Sequence, residues 1–194
     1  KSGFNEVVIN THWLAERLPN ALGDGRRWGL KIHYAYEETL LETAGGIKSV
    51  LPLLAETTDI SENEQPFLVV NGDVYTELDL TSWLDKAPML NEQVLAYLAL
   101  VDNPCHHLEG DFCIHPETGS LSLPHEHLSA FTYSGIGLFH PKLFNATKAG
   151  PSQLGPLLKE HIKMQQVFGA VISDYWLDVG TPERFEKLNQ RLTR

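Results

Sequence analysis

The sequence has few of the features that mark several large classes of protein. It has only two cysteines, Cys105 and Cys113, which fit neither a CxxC pair nor a zinc spacing, so a reduced, cytoplasmic protein is expected. No apolar run approaches the ~20 residues that cross a bilayer, and no basic-then-apolar leader is present, so no membrane association is expected. The 15 Lys and Arg are outnumbered by 25 Asp and Glu, for a net charge of −10. A phosphate backbone attracts basic surfaces, so nucleic acid is not an expected partner, and no protein partner is predicted.

The remaining composition is that of a globular chain. Of the 194 residues, 42% are hydrophobic and 21% charged, which favours one compact domain over residues 1–194. Strand-like and helix-like patterns alternate through the first half, as in an α/β doubly wound domain. Strand patterns at 111–115, 121–123 and 131–139 predict an antiparallel or mixed extension of the sheet. Thr181 and Pro182 predict the start of a last helix, whose buried face would comprise Phe185, Leu188 and Leu192.

A buried-strand pattern ends at an acidic residue in the segment 69–73. The apolar run 67–70 is typical of a strand covered on both faces, and Asn71, Gly72 and Asp73 follow it. Ligands of open parallel sheets bind beyond the carboxyl ends of the strands, which is where Asp73 is predicted to lie. An ordinary Asn-Gly turn with a solvated Asp remains an alternative.

A second carboxylate, Asp178, lies in an otherwise apolar strand pattern. An unpaired buried carboxylate is costly, so Asp178 needs a donor, a cation or the solvent of a cleft, unless it serves as a cap or an edge residue. If Asp73 and Asp178 converge, a divalent cation would relieve their repulsion. Two carboxylates that hold a cation together with substrate phosphates are a usual Mg²⁺ arrangement, which indicates phosphoryl or nucleotidyl transfer.

Three other segments carry candidate binding residues. Adjacent small residues at 41–46, predicted to precede a helix, would let a base or ribose lie against free amides, although a plain Gly-Gly turn is the simpler interpretation. His106 and His107, with His115, His125 and His127, lack the spacing of a metal site, so solvated loop histidines are expected. Segments 110–111 and 134–135 could hydrogen-bond sugar hydroxyls, or could simply mark a bulge or close packing.

Taken in chain order, these segments resemble the sugar-1-phosphate nucleotidyltransferase family over essentially the whole chain. The stretches that carry the resemblance are 41–46 (LETAGG), 69–73 (VVNGD), 101–112 (VDNPCHHLEGDF), 133–136 (YSGI) and 176–183 (WLDVGTPE). The details are most similar to the branch that joins UTP to N-acetylmuramate 1-phosphate in peptidoglycan recycling. The resemblance implies a Rossmann-like three-layer α/β/α fold with a mixed, mostly parallel sheet.

The resemblance also implies a reaction and roles for particular residues. A sugar 1-phosphate would attack the α-phosphorus of a nucleoside triphosphate, with UTP favoured, and would expel pyrophosphate. Asp73 and Asp178 would be the catalytic magnesium ligands. The residues implied to contact the base and ribose are Glu42, Thr43, Ala44 and Gly45, and those implied to contact the sugar or its phosphates are Asn71, Gly110, Asp111, Ser134 and Gly135.

This sequence departs from the family pattern in two places. Relatives that use other sugars often have Gly in place of Glu42 and a Glu-Lys-Pro between the positions of Phe112 and Phe131. The family also opens with a strand, a Gly-rich loop containing a catalytic Arg, and a Pro-Lys-Pro. None of these is present, and Lys1 precedes the wrong strand to replace that Lys. The domain is therefore expected to be incomplete at its amino end, and the chain as written to be inactive or nearly so.

Three alternatives to this function remain open. The first is another sugar or base within the family, such as mannose 1-phosphate with GTP. The second is a metal-dependent glycosyltransferase, which would also place an acid such as Asp73 beside a nucleotide-sugar diphosphate. The third is a non-catalytic protein that binds sugar nucleotides.

Overall fold

The structure, a computed structural model, describes residues 3–56, 65–125 and 128–193. They fall into two compact units: Lys1–Gln65 with Pro141–Leu158, and Pro66–His140 with Lys159–Arg194. None of the helices in the described part of the chain is long and apolar enough to cross a membrane.

The first unit is built on a pair of parallel strands and a helix. Strand β1 (Glu6–Thr11) pairs in parallel with β2 (Lys31–Tyr36), and α1 (Arg17–Leu22) lies in the crossover that parallel pairing requires. Helix α2 (Glu42–Glu56) follows. Buried apolar residues of this unit are Ala44, Ile47, Val50, Leu51, Leu143, Phe144, Leu154 and Leu158.

Helix α2 corrects the prediction of a Gly-Gly turn ahead of the helix. The helix begins at Glu42, so Gly45 and Gly46 lie inside its first turns. A Cβ on Gly45 would overlap the carbonyl oxygen of Gly150, and one on Gly46 would stand 2.6 Å from Glu37 Oε1. The two glycines are therefore explained by the close approach of other segments to the helix rather than by a turn.

The second unit contains most of the strands. Its elements are β3 (Phe67–Val70), β4 (Val74–Thr76), α3 (Leu80–Leu84), β5 (Ala96–Val101), β6 (Phe112–Ile114), β7 (Leu121–Ser122), β8 (Ala130–Phe139), β9 (Val167–Val171), β10 (Trp176–Asp178) and α5 (Pro182–Leu192). The unit boundary falls within α4 (Leu154–Lys163). Six of these strands form one sheet in the order β7-β6-β8-β5-β9, with β3 also paired to β8.

The predicted mixed sheet is confirmed. The expectation that it is mostly parallel is wrong when hydrogen-bonded strand pairs are compared, because most of these pairs are antiparallel. In this six-stranded sheet, as far as the structure describes it, only β5 and β9 pair in parallel. Strand β8 runs antiparallel to β5 on one side and to β3 and β6 on the other. This long strand separates strands that share a direction, so most hydrogen-bonded pairs are antiparallel.

The core of the second unit lies against both faces of β5. All six residues of this strand are buried, which agrees with its unbroken apolar sequence. Buried residues packed together here include Trp83, Leu90, Tyr97, Ala99, Val101, Ile136, Leu138 and Ile172. In α5 only part of the predicted buried face is correct: Leu188 is buried, but Phe185 and Leu192 are 55% and 58% exposed.

An irregularity in β8 shapes the end of the sheet next to β3. Leu98 pairs with Gly137 while Leu100 pairs with Tyr133, so Ala99 alone faces three residues of β8. Gly135 lies within this bulge at φ +79°, in the left-handed region that favours glycine. The bulge lies beside the end of β3, because Val70, the last residue of that strand, pairs with Ile136.

Candidate active site

A pocket of about 300 Å³ in the second unit brings together five of the residues that the sequence predicted for a site. They are Asn71, Asp73, Ser134, Gly135 and Asp178. Its other lining residues are Val74, His106, His107, Thr132, Tyr133 and Trp176. The walls come from the turn after β3, the bulge of β8, the end of β10 and the loop that holds the two histidines.

The bulge of β8 holds the turn that carries Asn71. The amide of Asn71 donates to the carbonyl of Gly135 at 2.9 Å, and the amide of Val74 donates to the carbonyl of Asn71 at 3.1 Å. A Cβ on Gly135 would stand 2.8 Å from Asn71 Nδ2. The absence of a side chain at Gly135 therefore gives Asn71 its place in the pocket wall.

Ser134 is part of the same wall but is almost wholly buried. Its hydroxyl oxygen accepts from the amide of Ile136 at 3.2 Å, and its carbonyl accepts from Trp176 Nε1 at 2.8 Å. These bonds fix the bulge and the indole of Trp176. A sugar contact by Ser134 and Gly135 stays a prediction.

The two carboxylates singled out in the sequence converge in the structure. Strands β4 and β10 pair antiparallel with Asp178 opposite Val74, and the amide of Val179 donates to the carbonyl of Asp73 at 2.8 Å. A Cβ on Gly180 would lie 2.9 Å from Asp178 Oδ1 and 3.5 Å from Asp73 Oδ2. The two side chains therefore face one small space that glycine leaves open.

The chemistry of this space fits a hard divalent cation. Carboxylate oxygens are the ligands that Mg²⁺ prefers, and two of them with substrate phosphates complete a usual Mg²⁺ shell. No group of three or more His, Cys, Asp or Glu suited to a metal exists in the described ranges. A cation here would therefore depend on the substrate for most of its ligands. Of the histidines weighed from the sequence, His127 lies outside the described residues.

Arg184 is a site residue that the sequence analysis missed. Its Nη2 lies 3.4 Å from Asp178 Oδ2, and its Nη1 lies 3.0 Å from His106 Nε2. The available signal was the helix start: Thr181 caps α5 by accepting from the amide of Arg184, which places Arg184 in the first turn. Side chains there tilt toward the amino end of the helix, in the direction of the preceding strand.

The histidine pair lies in a loop and is accessible to solvent, as expected, and both side chains also have hydrogen-bond partners. His106 and His107 line the pocket, although His106 is also exposed. His107 Nε2 donates to Asp111 Oδ1 at 3.1 Å, and Asp111 Oδ2 accepts from the amide of Tyr133 at 2.9 Å. Asp111 thus orients His107 from outside the pocket lining.

Gly110 also lies outside the pocket lining. It has φ +66°, and a Cβ there would stand 2.7 Å from Asn103 Oδ1. Asn103 in turn accepts from the hydroxyl of Thr132 at 2.9 Å. Gly110 and Asp111 both support pocket residues, and the sugar contact predicted for them stays a prediction.

Tyr133 supplies a buried hydroxyl beside these groups. Among the residues that the structure describes, the hydroxyl has no hydrogen-bond partner. Burial raises the pKa of this phenol well above its usual value. The hydroxyl is therefore protonated at neutral pH.

The residues predicted to hold the base and ribose lie in the first unit. Glu42, at φ +60°, and Thr43 are exposed, whereas Ala44 and Gly45 are buried. The amides of Ala44 and Gly45 donate to the carbonyl of Ser152 at 2.9 and 3.0 Å. The expectation of free amides is wrong for Ala44 and Gly45, because the chain itself supplies their acceptor. The base and ribose contacts stay a prediction.

Comparisons with known proteins agree with these observations. Residues 1–107 match the family model described as "Nucleotidyl transferase". The chain is 40% identical to the N-acetylmuramate alpha-1-phosphate uridylyltransferase of Neisseria meningitidis over 189 residues, 96% of this chain and 78% of that protein. It is 22% identical to the mannose-1-phosphate guanylyltransferase catalytic subunit beta of Xenopus tropicalis, over 95% of this chain and about half (51%) of that protein.

A solved structure extends the likeness to the fold. UDP-glucose pyrophosphorylase complexed with UDP-glucose superposes with a TM-score of 0.70 at 15% identity, over 99% of this chain and 82% of that one. This likeness shows the Rossmann-like fold of nucleotidyltransferases. With a family model over more than half of its residues and a relative at 40% identity, the chain belongs to the nucleotidyl transferase family, among the sugar-1-phosphate nucleotidyltransferases.

Proposed function

We propose that this protein makes UDP-N-acetylmuramate from UTP and N-acetylmuramate 1-phosphate, as a step of peptidoglycan recycling in the cytoplasm. The convergence of Asp73 and Asp178 on the space above Gly180 carries the proposal. The Neisseria relative supports the choice of substrates. Both cysteines are free, which agrees with a reducing compartment.

In the proposed reaction an oxygen of the sugar phosphate attacks the α-phosphorus of UTP. The bond from that phosphorus to the bridging oxygen breaks, and pyrophosphate leaves with the bond electrons. Asp73 and Asp178 would hold Mg²⁺, which when bound supplies positive charge to the reacting phosphates.

The other residues of the site would bind and orient the sugar phosphate. Asn71 projects from the turn held by the bulge of β8, and its amide group can hydrogen-bond a hydroxyl or phosphate oxygen. The Ser134–Gly135 bulge would form the wall against the sugar. Asp111 would act through His107, which it orients, and Gly110 would keep the same loop packed on Asn103. The residues Glu42, Thr43, Ala44 and Gly45 remain the proposed base and ribose contacts.

The direct test measures pyrophosphate release from UTP and N-acetylmuramate 1-phosphate with Mg²⁺, with UDP-N-acetylmuramate identified by mass spectrometry. The 194-residue chain and a form extended at its amino end by the family's first strand and Gly-rich loop are assayed in parallel. Asp73→Asn and Asp178→Asn should each lower turnover at least 100-fold, since charge stabilisation dominates phosphoryl transfer. Asp174→Asn is the control, because Asp174 is exposed and outside the pocket lining.

The outcomes separate the proposals. Turnover by the 194 residues alone would contradict only the expectation that this chain is inactive. No UDP-N-acetylmuramate from either form would contradict the proposed reaction. Hydrolysis of UDP-sugars without pyrophosphate chemistry would instead indicate a glycosyltransferase, and binding without any reaction a non-catalytic sugar-nucleotide protein.

A second candidate is the transfer of guanylyl to mannose 1-phosphate, which the Xenopus relative favours. Ligands that bind only the folded state raise the melting temperature in proportion to RT ln(1 + [L]/Kd). UTP and UDP-N-acetylmuramate should therefore raise it more than GTP and GDP-mannose at equal concentration. The reverse ranking would favour the guanylyltransferase.

A further inference from the structure

Arg184 contacts two residues of the pocket, and the proposed binding of a cation by Asp73 and Asp178 gives this arginine no role. One end of its guanidinium pairs with Asp178 and the other with His106, and both of these residues line the pocket. Among the described residues no lysine or arginine lines the pocket, and Arg184 brings a permanent positive charge against two residues that do. Its side chain is only 23% exposed and that of Asp178 only 29%, so solvent screens the pair incompletely.

The guanidinium also borders the space between the two carboxylates. Its Nη2 would lie 3.3 Å from a Cβ on Gly180, the same point that Asp73 Oδ2 and Asp178 Oδ1 approach. Arginine stays charged at any pH at which proteins fold. A divalent cation drawn to these carboxylates therefore meets an arginine that already neutralises one of them.

His106 holds the other end of the guanidinium. Arginine has no acceptor atom, so the guanidinium donates this bond and His106 Nε2 accepts it. This bond does not involve Asp178. Arg184 can thus leave Asp178 while remaining bound to His106 at the edge of the pocket. The buried Nε of Arg184 has no hydrogen-bond partner within the described ranges, so at least one further donor is unused.

We infer that Arg184 is an exchanging countercharge. With no ligand it neutralises Asp178; when a divalent cation takes Asp178, Arg184 is released and, held by His106, pairs with a phosphate of the bound nucleotide sugar. The inference rests on the proposed function, because it assigns Asp178 to the cation. It makes Arg184 both a competitor of the free cation and a ligand of the substrate phosphate.

Two binding measurements test the exchange, and neither needs turnover. Mn²⁺ alone is titrated by electron paramagnetic resonance, and UDP-N-acetylmuramate is titrated by calorimetry in saturating Mg²⁺. Arg184→Gln should bind Mn²⁺ alone about fivefold more tightly, the scale of a partly exposed ion pair of about 1 kcal/mol. The same variant should bind the nucleotide sugar about tenfold more weakly, since it loses a charge-assisted hydrogen bond.

The control variants separate the effect of the Arg184 charge on binding from any effect of a substitution on folding. Arg191→Gln removes another arginine of α5, which pairs with Glu77 away from the pocket, and should change neither affinity. Arg184→Lys keeps the charge and should leave Mn²⁺ binding within twofold of wild type. Thermal unfolding of each variant establishes that it is folded.

The inference and the proposed function fail in different ways. If Arg184→Gln binds Mn²⁺ no more tightly than Arg191→Gln, or binds the nucleotide sugar equally well, the exchange is refuted. If Asp178→Asn binds Mn²⁺ as wild type does, the proposed metal site is refuted first. Weaker Mn²⁺ binding by Arg184→Gln also refutes the exchange, because it makes Arg184 a support of Asp178 rather than its competitor.

Discussion

Replacing Gly135 by alanine should damage the candidate site more than the fold in general. Gly135 lies at φ +79°, a conformation that costs an alanine about 1–2 kcal/mol. The new Cβ would also stand 2.8 Å from Asn71 Nδ2 and 2.9 Å from Asn71 Cγ. Relieving an overlap of this kind costs a further ~1–3 kcal/mol, so Gly135→Ala should lower the free energy of unfolding by about 2–5 kcal/mol.

Gly119→Ala is the matched control for backbone strain. Gly119 has a similar φ of +73°, but its Cβ would only make an ordinary contact of 3.4 Å with the carbonyl oxygen of Gly169. It should therefore lose about 1–2 kcal/mol and retain full affinity for the nucleotide sugar. Gly135→Ala should bind that ligand more weakly, because Asn71 must leave its place in the pocket wall.

Urea unfolding followed by tryptophan fluorescence measures the stability of both variants, and calorimetric titration of UDP-N-acetylmuramate measures their binding. Equal losses of stability in the two variants would show that the overlap with Asn71 is relieved at no cost. Unchanged ligand affinity in Gly135→Ala would refute the role given to the bulge in placing Asn71.

Three further predictions concern other parts of the chain. Asp111→Asn should raise the KM for the sugar phosphate with a smaller effect on kcat, because His107 loses the carboxylate that orients it, and steady-state kinetics checks this. Hydrogen bonds from the backbone and from the N-cap threonine hold the pKa of Glu183 below its ordinary value of 4.5. These hydrogen bonds therefore stabilise the folded protein above pH 4.5, and the stabilisation is lost as the pH falls through the pKa of Glu183 in the folded state. Glu183→Gln should therefore unfold more easily than wild type at pH 7, and the difference should vanish on acidification below pH 4.5, as followed by chemical unfolding at several pH values. Gly46→Ala should destabilise the first unit, since its Cβ would stand 2.6 Å from Glu37 Oε1, and hydrogen exchange at the amides of α2 would report it.

Sequence patterns located the strands well where local chemistry determines them. The apolar run at 96–101 forms a strand buried along its whole length, as an unbroken run predicts. Thr181 and Pro182 mark the true start of α5, because a threonine cap and a proline in the first turn act within a few residues. Asp73 and Asp178 were also identifiable, since each is an acid at the end of an apolar strand.

Periodicity failed where packing from a distant segment decides the structure. The two glycines at 45–46 look like a turn in the sequence, but they lie inside α2 because Gly150 and Glu37 pack against them. The antiparallel pairing of β8 agrees with the predicted extension of the sheet, but its position between β5 on one side and β3 and β6 on the other was not encoded locally. Strand order depends on where segments far along the chain come to lie.

From the sequence alone we could name the candidate residues of the site: two carboxylates at strand ends, small residues where backbones approach closely, and a histidine pair in a loop. Which of these residues lie together follows from the packing of segments that are far apart in the sequence. Arg184 and His106 are 78 residues apart, and no spacing rule joins them. The charge of a site is a sum over side chains from distant segments. The arginine that pairs with Asp178 therefore became visible only once the fold had brought α5 next to the histidine loop.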